Sequence, residues 1–322
     1  MLWKKCLGFS IYFMIGGSVL AKNVHLVTEE GFVNVEGGRV WYQVISAKKN
    51  KNALPLLVLH GGPGVPHTYL NVLKALASER PVIFYDQLGC GRSAVEKNDN
   101  RLWNLTRFER ELETLVTKLR LNKFHLLGHS WGAALASEYA VKHPERLQSL
   151  ILASPLLSTD LWQKDARKLI AQLAREVQSA ILTNEAQGTT ESQAYVDATE
   201  VYYHHFCCRM DVWPTDLSDA LDHLNLDVYK TMWGPSEFTM NGNLKDFDQI
   251  PKLKALRMPM LITGGRFDEA RPETLSYVVS QLSHAELITY EQSAHVAFLE
   301  EKEKYLNDLR QFIQRTENVI DK

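Results

Sequence analysis

The residues best suited to chemistry in this chain form the pentapeptide Gly128-His129-Ser130-Trp131-Gly132. An apolar run at 124–127 precedes it and a helix-forming run at 133–140 follows it, which is the order strand, G-x-S-x-G, helix. Glycine on both sides permits a sharp turn that side chains would block. The turn exposes the serine hydroxyl at a helix N-terminus, where unpaired N–H groups attract an oxyanion. The pattern therefore predicts that Ser130 is a nucleophile. The alternative is an ordinary glycine-rich turn, which has the G-x-S-x-G motif without this role.

A nucleophilic serine needs a base, and the base needs an acid that orients it. In folds that place a nucleophile on a turn of this kind, the acid and the histidine come later in the chain than the serine. Both lie at the carboxyl ends of strands. Asp268 comes shortly after the predicted strand 260–263, and its neighbour Glu269 is the alternative. Asp246 and Asp248 precede that strand, which is the wrong end. We therefore expect Asp268 to be the orienting acid.

Two late histidines are candidates for the base. His284 precedes the predicted strand 286–290, whereas His295 follows it. Since only a residue after the strand reaches the edge of the sheet where Ser130 lies, the order of the chain predicts that His295 is the base.

An oxyanion also needs two N–H donors. The residue after the nucleophile, Trp131, supplies one, and a loop after an earlier strand supplies the other. That loop is His60-Gly61-Gly62-Pro63-Gly64, directly after the apolar run 54–59. Gly62 is the predicted second donor, although a glycine-rich loop that only turns the chain is the simpler alternative.

Short apolar runs alternate with helical stretches along most of the 322 residues. We therefore expect a sheet to position the candidate residues. Runs that are apolar on both faces are typical of buried parallel strands, and the alternation predicts a doubly wound α/β fold with a mostly parallel sheet. The predicted strands are a hairpin at 32–35 and 40–45, followed by 54–59, 81–85, 124–127, 150–153, 260–263 and 286–290.

The alternation stops between about residues 155 and 247, where we predict helices at 161–182, 193–206 and 217–232. We interpret this segment as a helical lid inserted into the core. It contains 14 acidic and 7 basic residues, a net charge of −7, whereas the rest of the chain carries +5. Such a lid would favour cationic substrates, or its helices merely present an acidic face to water.

The N-terminus has the layout of a secretory signal peptide. Lys4 and Lys5 precede an uncharged stretch at 6–20, and Val19-Leu20-Ala21 suits a cut after Ala21. The stretch is short for a membrane span of about 20 residues. We expect export to the periplasm or medium, with an uncleaved anchor or a helix of the fold as alternatives. The expected domains are a signal at 1–21, the core at 22–154 and 248–322, and the lid at 155–247.

The overall composition is that of a globular protein, with 45% hydrophobic residues, 23% charged residues and a net charge of −2. A net charge this small provides no electrostatic attraction to nucleic acid. Cys6 would leave with the signal, and Cys90, Cys207 and Cys208 are expected to be free thiols, since adjacent cysteines are poorly placed to pair. No Cys/His spacing suggests zinc. We expect neither a metal nor an organic cofactor.

Three motifs together resemble the proline iminopeptidase family of α/β-hydrolases. They are the loop at 60–64, the stretch Asp86-Gln87-Leu88-Gly89-Cys90-Gly91-Arg92-Ser93, and the pentapeptide around Ser130. The lid stretches 202–214 and 232–246 are similar to the branch that includes broad aminopeptidases and amino acid amidases. The resemblance covers most of residues 31–315.

The resemblance implies an α/β-hydrolase fold with a lid, and a serine aminopeptidase acting on short peptides, amino acid amides or arylamides. The first residue would be proline or another small or apolar residue. It also implies that lid carboxylates bind the free α-ammonium group of the substrate. Glu237 matches one of them, and alignment on the Trp213-Pro214 pattern places the second at Asp211, where the family usually has Glu.

Two other interpretations stay open from the sequence. The first is an esterase, lipase or lactonase on the same scaffold, which would be indifferent to a free amine. The second is a binding protein without catalytic activity, which the intact Ser130, Asp268 and His295 argue against.

Overall fold

The computed structural model describes residues 25–50, 52–96 and 99–318. The predicted signal at 1–21 lies outside these residues. Within them, no helix combines the length and the apolar character that crossing a bilayer requires.

The described residues contain nine strands, which form one sheet. They are β1 Leu26–Val35, β2 Gly38–Ala47, β3 Leu56–Leu59, β4 Val82–Tyr85, β5 Ala94–Val95, β6 Phe124–His129, β7 Leu147–Ala153, β8 Met260–Gly265 and β9 Ala285–Tyr290. Their order in the sheet is β1-β2-β4-β3-β6-β7-β8-β9, and β5 pairs with β2. β1 and β2 form an antiparallel hairpin, β2 pairs antiparallel with β4, and the strands from β4 to β9 along that order are parallel to their neighbours.

Eleven α-helices lie in the described part of the chain. They are α1 Leu105–Lys118, α2 Trp131–Lys142, α3 Thr159–Ile170, α4 Arg175–Gln187, α5 Gln193–Phe206, α6 Thr215–Asp222, α7 Leu226–Met232, α8 Ile250–Leu253, α9 Pro272–Ser280, α10 Ala297–Glu300 and α11 Lys302–Asn318. A 3₁₀ helix at His67–Ser78 connects β3 to β4.

The α/β fold class predicted from the sequence is confirmed, and each predicted strand is present. β3, β4, β6, β7 and β8 are buried along their whole length, as their unbroken apolar runs indicated. The chain order reverses between β3 and β6, so a crevice opens at the carboxyl ends of these neighbouring strands. The loop at 60–64 and Ser130 both follow strands that end at this crevice.

In the described residues, six helices, α3 to α8, lie between β7 and β8, and α3 to α7 fall within the segment 155–247. Two of the helices predicted for this segment are divided. The predicted helix 161–182 is α3 and α4, because a turn at 171–173 lets both helices pack on one apolar cluster that includes Ile170 and Ile181. The predicted helix 217–232 is α6 and α7. The side chain of Asn225 accepts hydrogen bonds from the N–H groups of Asp227 and Val228 and so caps a new helix.

Candidate active site

Ser130 occupies the sharp turn between β6 and α2. Its backbone has φ +56° and ψ −118°, a strained conformation for a residue with a side chain. The Ser130 N–H donates to the carbonyl of Ala153, 2.9 Å away at the end of β7. A Cβ atom on Gly128 would lie 2.1 Å from the Gly132 carbonyl oxygen, and one on Gly132 would lie 2.4 Å from the Leu59 oxygen. Both flanking glycines are therefore required by close approach of the backbone.

Asp268 and His295 form a buried pair, with 2.7 Å between Asp268 Oδ1 and His295 Nδ1. Asp268 also accepts hydrogen bonds from Ser154 Oγ and from the N–H groups of Gly265 and Ala270. Burial opposes a charge on His295, but the charge and hydrogen bond of Asp268 outweigh burial and raise the His295 pKa to about 9. The arrangement leaves Nε2 as the ring atom of His295 that does not face the acid.

The alternative candidates lie elsewhere. His284 is exposed at the opposite end of β9, where its carbonyl accepts from Met260 N–H. Asp246 and Asp248 lie before β8, as the sequence indicated. Glu269 Oε2 is 4.0 Å from His295 Nδ1, too far for a hydrogen bond, so Asp268 is the acid that holds the imidazole.

Ser130 and His295 line one cavity of about 370 Å³. Gly62 lines it as well, with φ +112°. Trp131 is the first residue of α2, so its N–H belongs to the first helical turn, where donors lack intrahelical acceptors. The structure thus brings all five residues of the predicted triad and oxyanion site to one place.

A network of side chains fixes the loop at 60–64 against the turn at Ser130. Gln87 N–H donates to His60 Nε2 at 2.9 Å, and the Gln87 side-chain amide donates to the His60 carbonyl at 3.0 Å. The Trp131 indole N–H donates to Gln87 Oε1 at 2.9 Å. Burial lowers the pKa of His60 to about 4, so the ring is neutral and can accept the Gln87 N–H. Gln87, the second residue of the motif at 86–93, therefore supports the loop at 60–64.

Asp86, the acid of that motif, has a structural role outside the cavity. Its Oδ1 accepts from the backbone N–H and ring Nδ1 of His67, at 3.1 and 2.7 Å, and its Oδ2 accepts from Arg92 N–H at 2.8 Å. A Cβ atom on Gly91 would lie 2.3 Å from Asp86 Oδ2. The motif is thus a folded loop closed around a buried carboxylate.

A second chain of hydrogen bonds links the loop at 60–64 to His295. Gly61 N–H donates to Tyr69 Oη at 2.7 Å, and the Tyr69 hydroxyl lies 2.8 Å from His129 Nδ1. His129 Nε2 donates to the His295 carbonyl at 3.0 Å. Burial lowers the His129 pKa well below its ordinary value, so the ring is neutral, Nδ1 accepts and Tyr69 donates. Neither Tyr69 nor His129 was singled out as a functional residue by sequence analysis.

Two carboxylates, Glu237 and Glu269, line the same cavity. Glu237 Oε2 accepts hydrogen bonds from the hydroxyls of Tyr203 and Tyr229, at 3.1 and 2.9 Å. Glu269 is 5% exposed, and its Oε1 has no hydrogen-bond partner in the described part of the chain. Burial raises the pKa of both carboxyls, and the charge of Glu237 raises that of Glu269 further.

No lysine or arginine among the described residues forms an ion pair with Glu237 or Glu269. Paired acidic groups without a built-in cation create a negative site that a bound cation would relieve. The arrangement is therefore suited to a ligand that carries an ammonium group.

Asp211, which the resemblance implies as the second carboxylate, does not line this cavity. It is exposed and lines a neighbouring depression with Glu200, His204 and Trp213. Asp211 follows α5, whereas the loop after β8 brings Glu269 to the cavity. The signal available in the sequence was that Glu269 directly follows Asp268.

Among the residues that the structure describes, no group of three or more His, Cys, Asp or Glu side chains could hold a metal ion. Cys90, Cys207 and Cys208 are free in the structure.

The chain matches known proteins over most of its length. The sequence pattern of the alpha/beta hydrolase fold family matches residues 55–302. The chain is 44% identical over 285 residues to a proline iminopeptidase of Heyndrickxia coagulans, covering 88% of this chain and 98% of that protein. A crystal structure of a proline iminopeptidase of Mycobacterium smegmatis superimposes with a TM-score of 0.84 at 33% identity, covering 91% of this chain and all of the other. The crystal structure of VinJ superimposes with a TM-score of 0.84 at 32% identity, covering 89% of this chain and 99% of that one.

Proposed function

Because the chain belongs to the proline iminopeptidase family of α/β-hydrolases, we propose that it is a serine aminopeptidase. It removes the first residue, proline or another small or apolar amino acid, from peptides, amides or arylamides with a free amino terminus. The observation that carries this proposal is the pair Glu237 and Glu269, which faces the cavity that also contains Ser130 and His295.

In the proposed reaction, the substrate ammonium lies between Glu237 and Glu269. The Ser130 hydroxyl attacks the first carbonyl carbon while His295, oriented by Asp268, takes the hydroxyl proton. The N–H groups of Gly62 and Trp131 stabilise the oxyanion. The positive φ of Gly62 and the place of Trp131 in the first turn of α2 support these two roles.

His295 then gives its proton to the departing nitrogen as the carbon–nitrogen bond breaks, leaving an acyl group on the serine oxygen. Water attacks the acyl group, with the same imidazole as the base, and releases the amino acid. Apart from the substrate and this water, the steps use side chains and backbone donors of this chain.

A matched set of variants tests the amine site. Glu237→Gln and Glu269→Gln should each lower kcat/KM on proline and alanine aminomethylcoumarin by about 30-fold or more, because each leaves the ammonium with an incomplete counter-charge. Asp211→Asn is the control and should change kcat/KM by less than about twofold. Ser130→Ala supplies the blank, since losing the nucleophile lowers kcat by a factor on the order of 10⁶.

The same substrates with an acetylated amine separate the proposal from its rival. An aminopeptidase of this design loses turnover when the amine is blocked. Turnover of acetylated substrates equal to that of free ones, or of p-nitrophenyl butyrate alone, would instead assign the site to an esterase.

The organisation into a core and a lid is also part of the proposal. Residues 155–247, which contain α3 to α7, would act as the lid over a core formed by 22–154 and 248–322. This is supported by the lid residues Glu237, Tyr203 and Tyr229, which share the cavity with Ser130 from the core.

We propose that residues 1–21 direct export and are removed, on the sequence pattern alone. N-terminal sequencing of the protein from a periplasmic or culture fraction of a bacterial host should find Lys22 as the first residue. Recovery of the full-length chain in washed membranes would favour the uncleaved anchor.

The proposed partners are peptide-like substrates and not nucleic acid.

A further inference from the structure

One face of α7 follows the cavity along its length. Leu226 and Tyr229 in α7 and its C-cap residue Trp233 line the cavity, and their spacing of three and four residues puts them on one side of the helix. The Tyr229 hydroxyl donates to Glu237, so this part of α7 marks the carboxylate end. Leu226 lies one turn earlier, about 4.5 Å along the axis, and is 54% exposed. The face therefore leads from the enclosed carboxylates to solvent.

The turn before α7 is fastened to the oxyanion loop. Asn225 N–H donates to the Gly64 carbonyl at 3.0 Å, and its side-chain amide donates to the Gly89 carbonyl at 2.8 Å. A Cβ atom on Gly64 would lie 3.1 Å from Leu224 Cδ1. The mouth of the cavity is thus held beside the loop that carries Gly62, on the side away from Glu237.

The wall at this mouth is apolar. Its residues from α6, α7 and the turn between them are Leu217, Leu221, Leu224 and Leu226. Leu221 is 37% exposed and Leu226 is 54% exposed, so both leave apolar surface in water in the unbound protein. Burying such surface against an apolar ligand group is favourable.

We propose that Leu221, Leu224 and Leu226 form a subsite for the second residue of the substrate and that this subsite prefers an apolar side chain. The proposal rests on the aminopeptidase function proposed above. With the ammonium at Glu237 and Glu269 and the first carbonyl at Ser130, the rest of the peptide must leave the enclosed end and pass these leucines.

The test compares peptide amides that share the first residue and differ only in the second: Pro-Leu, Pro-Phe, Pro-Gly and Pro-Asp amides. We expect kcat/KM for the leucine and phenylalanine substrates to exceed that for the glycine substrate by about tenfold, with the aspartate substrate slowest. Equal values for all four would overturn the subsite alone. No turnover of any of them, nor of proline or alanine aminomethylcoumarin, would overturn the aminopeptidase function and the subsite with it.

Variants locate the preference. Leu226→Ser and Leu221→Ser should each lower the ratio of Pro-Leu to Pro-Gly turnover by about fivefold, whereas Val212→Ser, 82% exposed and outside the cavity, should leave the ratio unchanged. Leu226→Asp should raise the turnover of Pro-Lys amide relative to Pro-Leu amide, a gain that unfolding would not produce. Unchanged ratios in the leucine variants would place the preference elsewhere.

Discussion

At the scale of single residues, the cavity holds a base surrounded by negative charge. His295 bonds to Asp268, and the carboxylates of Glu269 and Glu237 lie close enough to raise its pKa as well. A protonated imidazole cannot accept the Ser130 proton, so the free enzyme holds most of its base in the inactive form near neutral pH. A substrate ammonium between the glutamates would offset their charge and favour the neutral base.

The raised pKa of His295 predicts how the labelling of Ser130 by a neutral fluorophosphonate depends on pH. Because only neutral His295 activates the serine, the labelling rate should rise with pH and reach half its maximum near pH 9. Glu269→Gln removes a negative charge, lowers the His295 pKa and should move the midpoint to lower pH. Asp211→Asn is the control and should leave it unchanged. A midpoint near 6.5 in the unmodified protein would contradict the argument.

At the scale of structural elements, the catalytic groups come from loops that follow β3, β6, β8 and β9, and side-chain networks hold these loops in register. The chain from Gly61 through Tyr69 and His129 to the His295 carbonyl ties the oxyanion loop, the turn at Ser130 and the loop after β9 together. His129 is thus a positioning residue at the variable site of the G-x-S-x-G motif.

Removing the middle hydroxyl of this chain tests its role. Tyr69→Phe leaves the Gly61 N–H and His129 Nδ1 without partners, which should destabilise the fold by about 1–3 kcal/mol. It should also lower kcat by about tenfold with little change in KM, since the affected groups act on the transition state.

Tyr139→Phe is the matched control for that variant. The Tyr139 hydroxyl donates to Glu113 Oε2 at 2.8 Å, far from the cavity lining. Tyr139→Phe should lower the melting temperature but leave kcat unchanged. If both variants reduced kcat equally, the effect of Tyr69 would be one of general stability.

At the scale of the whole molecule, charge is divided between the two parts of the chain. The segment 155–247 carries a net charge of −7 and the remainder +5. Charged surfaces around a cleft steer ions of opposite sign, and salt screens this effect. The acidic segment that contains Glu237 would therefore attract amino-terminal cations toward the cavity.

Ionic strength distinguishes steering from a merely solvated acidic face. The Debye length falls from about 30 Å at 0.01 M to about 8 Å at 0.15 M, so steering should weaken over this range. We expect kcat/KM for aminoacyl coumarins to fall about threefold between these conditions, whereas kcat stays constant. A kcat/KM that is independent of salt would show that the acidic face only keeps the helices solvated.

The fold, and the placement of Ser130, Asp268 and His295 at one edge of the sheet, could be predicted from the sequence because they depend on local order. A buried parallel strand requires a continuous apolar run, and a residue that follows such a strand must lie at the carboxyl edge of the sheet. Ser130, Asp268 and His295 each follow a strand, so their meeting needed only the order of the strands. In the same way, Gly128 and Gly132 on either side of Ser130 indicated a sharp turn from the sequence alone.

The tertiary structure decided which acidic residues face the cavity. Asp211 and Glu269 lie 58 positions apart in the sequence, and no local pattern reveals which one reaches Glu237. That depends on how α5 to α7 pack over the loop after β8, which is a long-range contact between separate elements. The same packing, with Asn225 bonded to Gly64 and Gly89, placed the leucines at the mouth and divided one predicted helix into two.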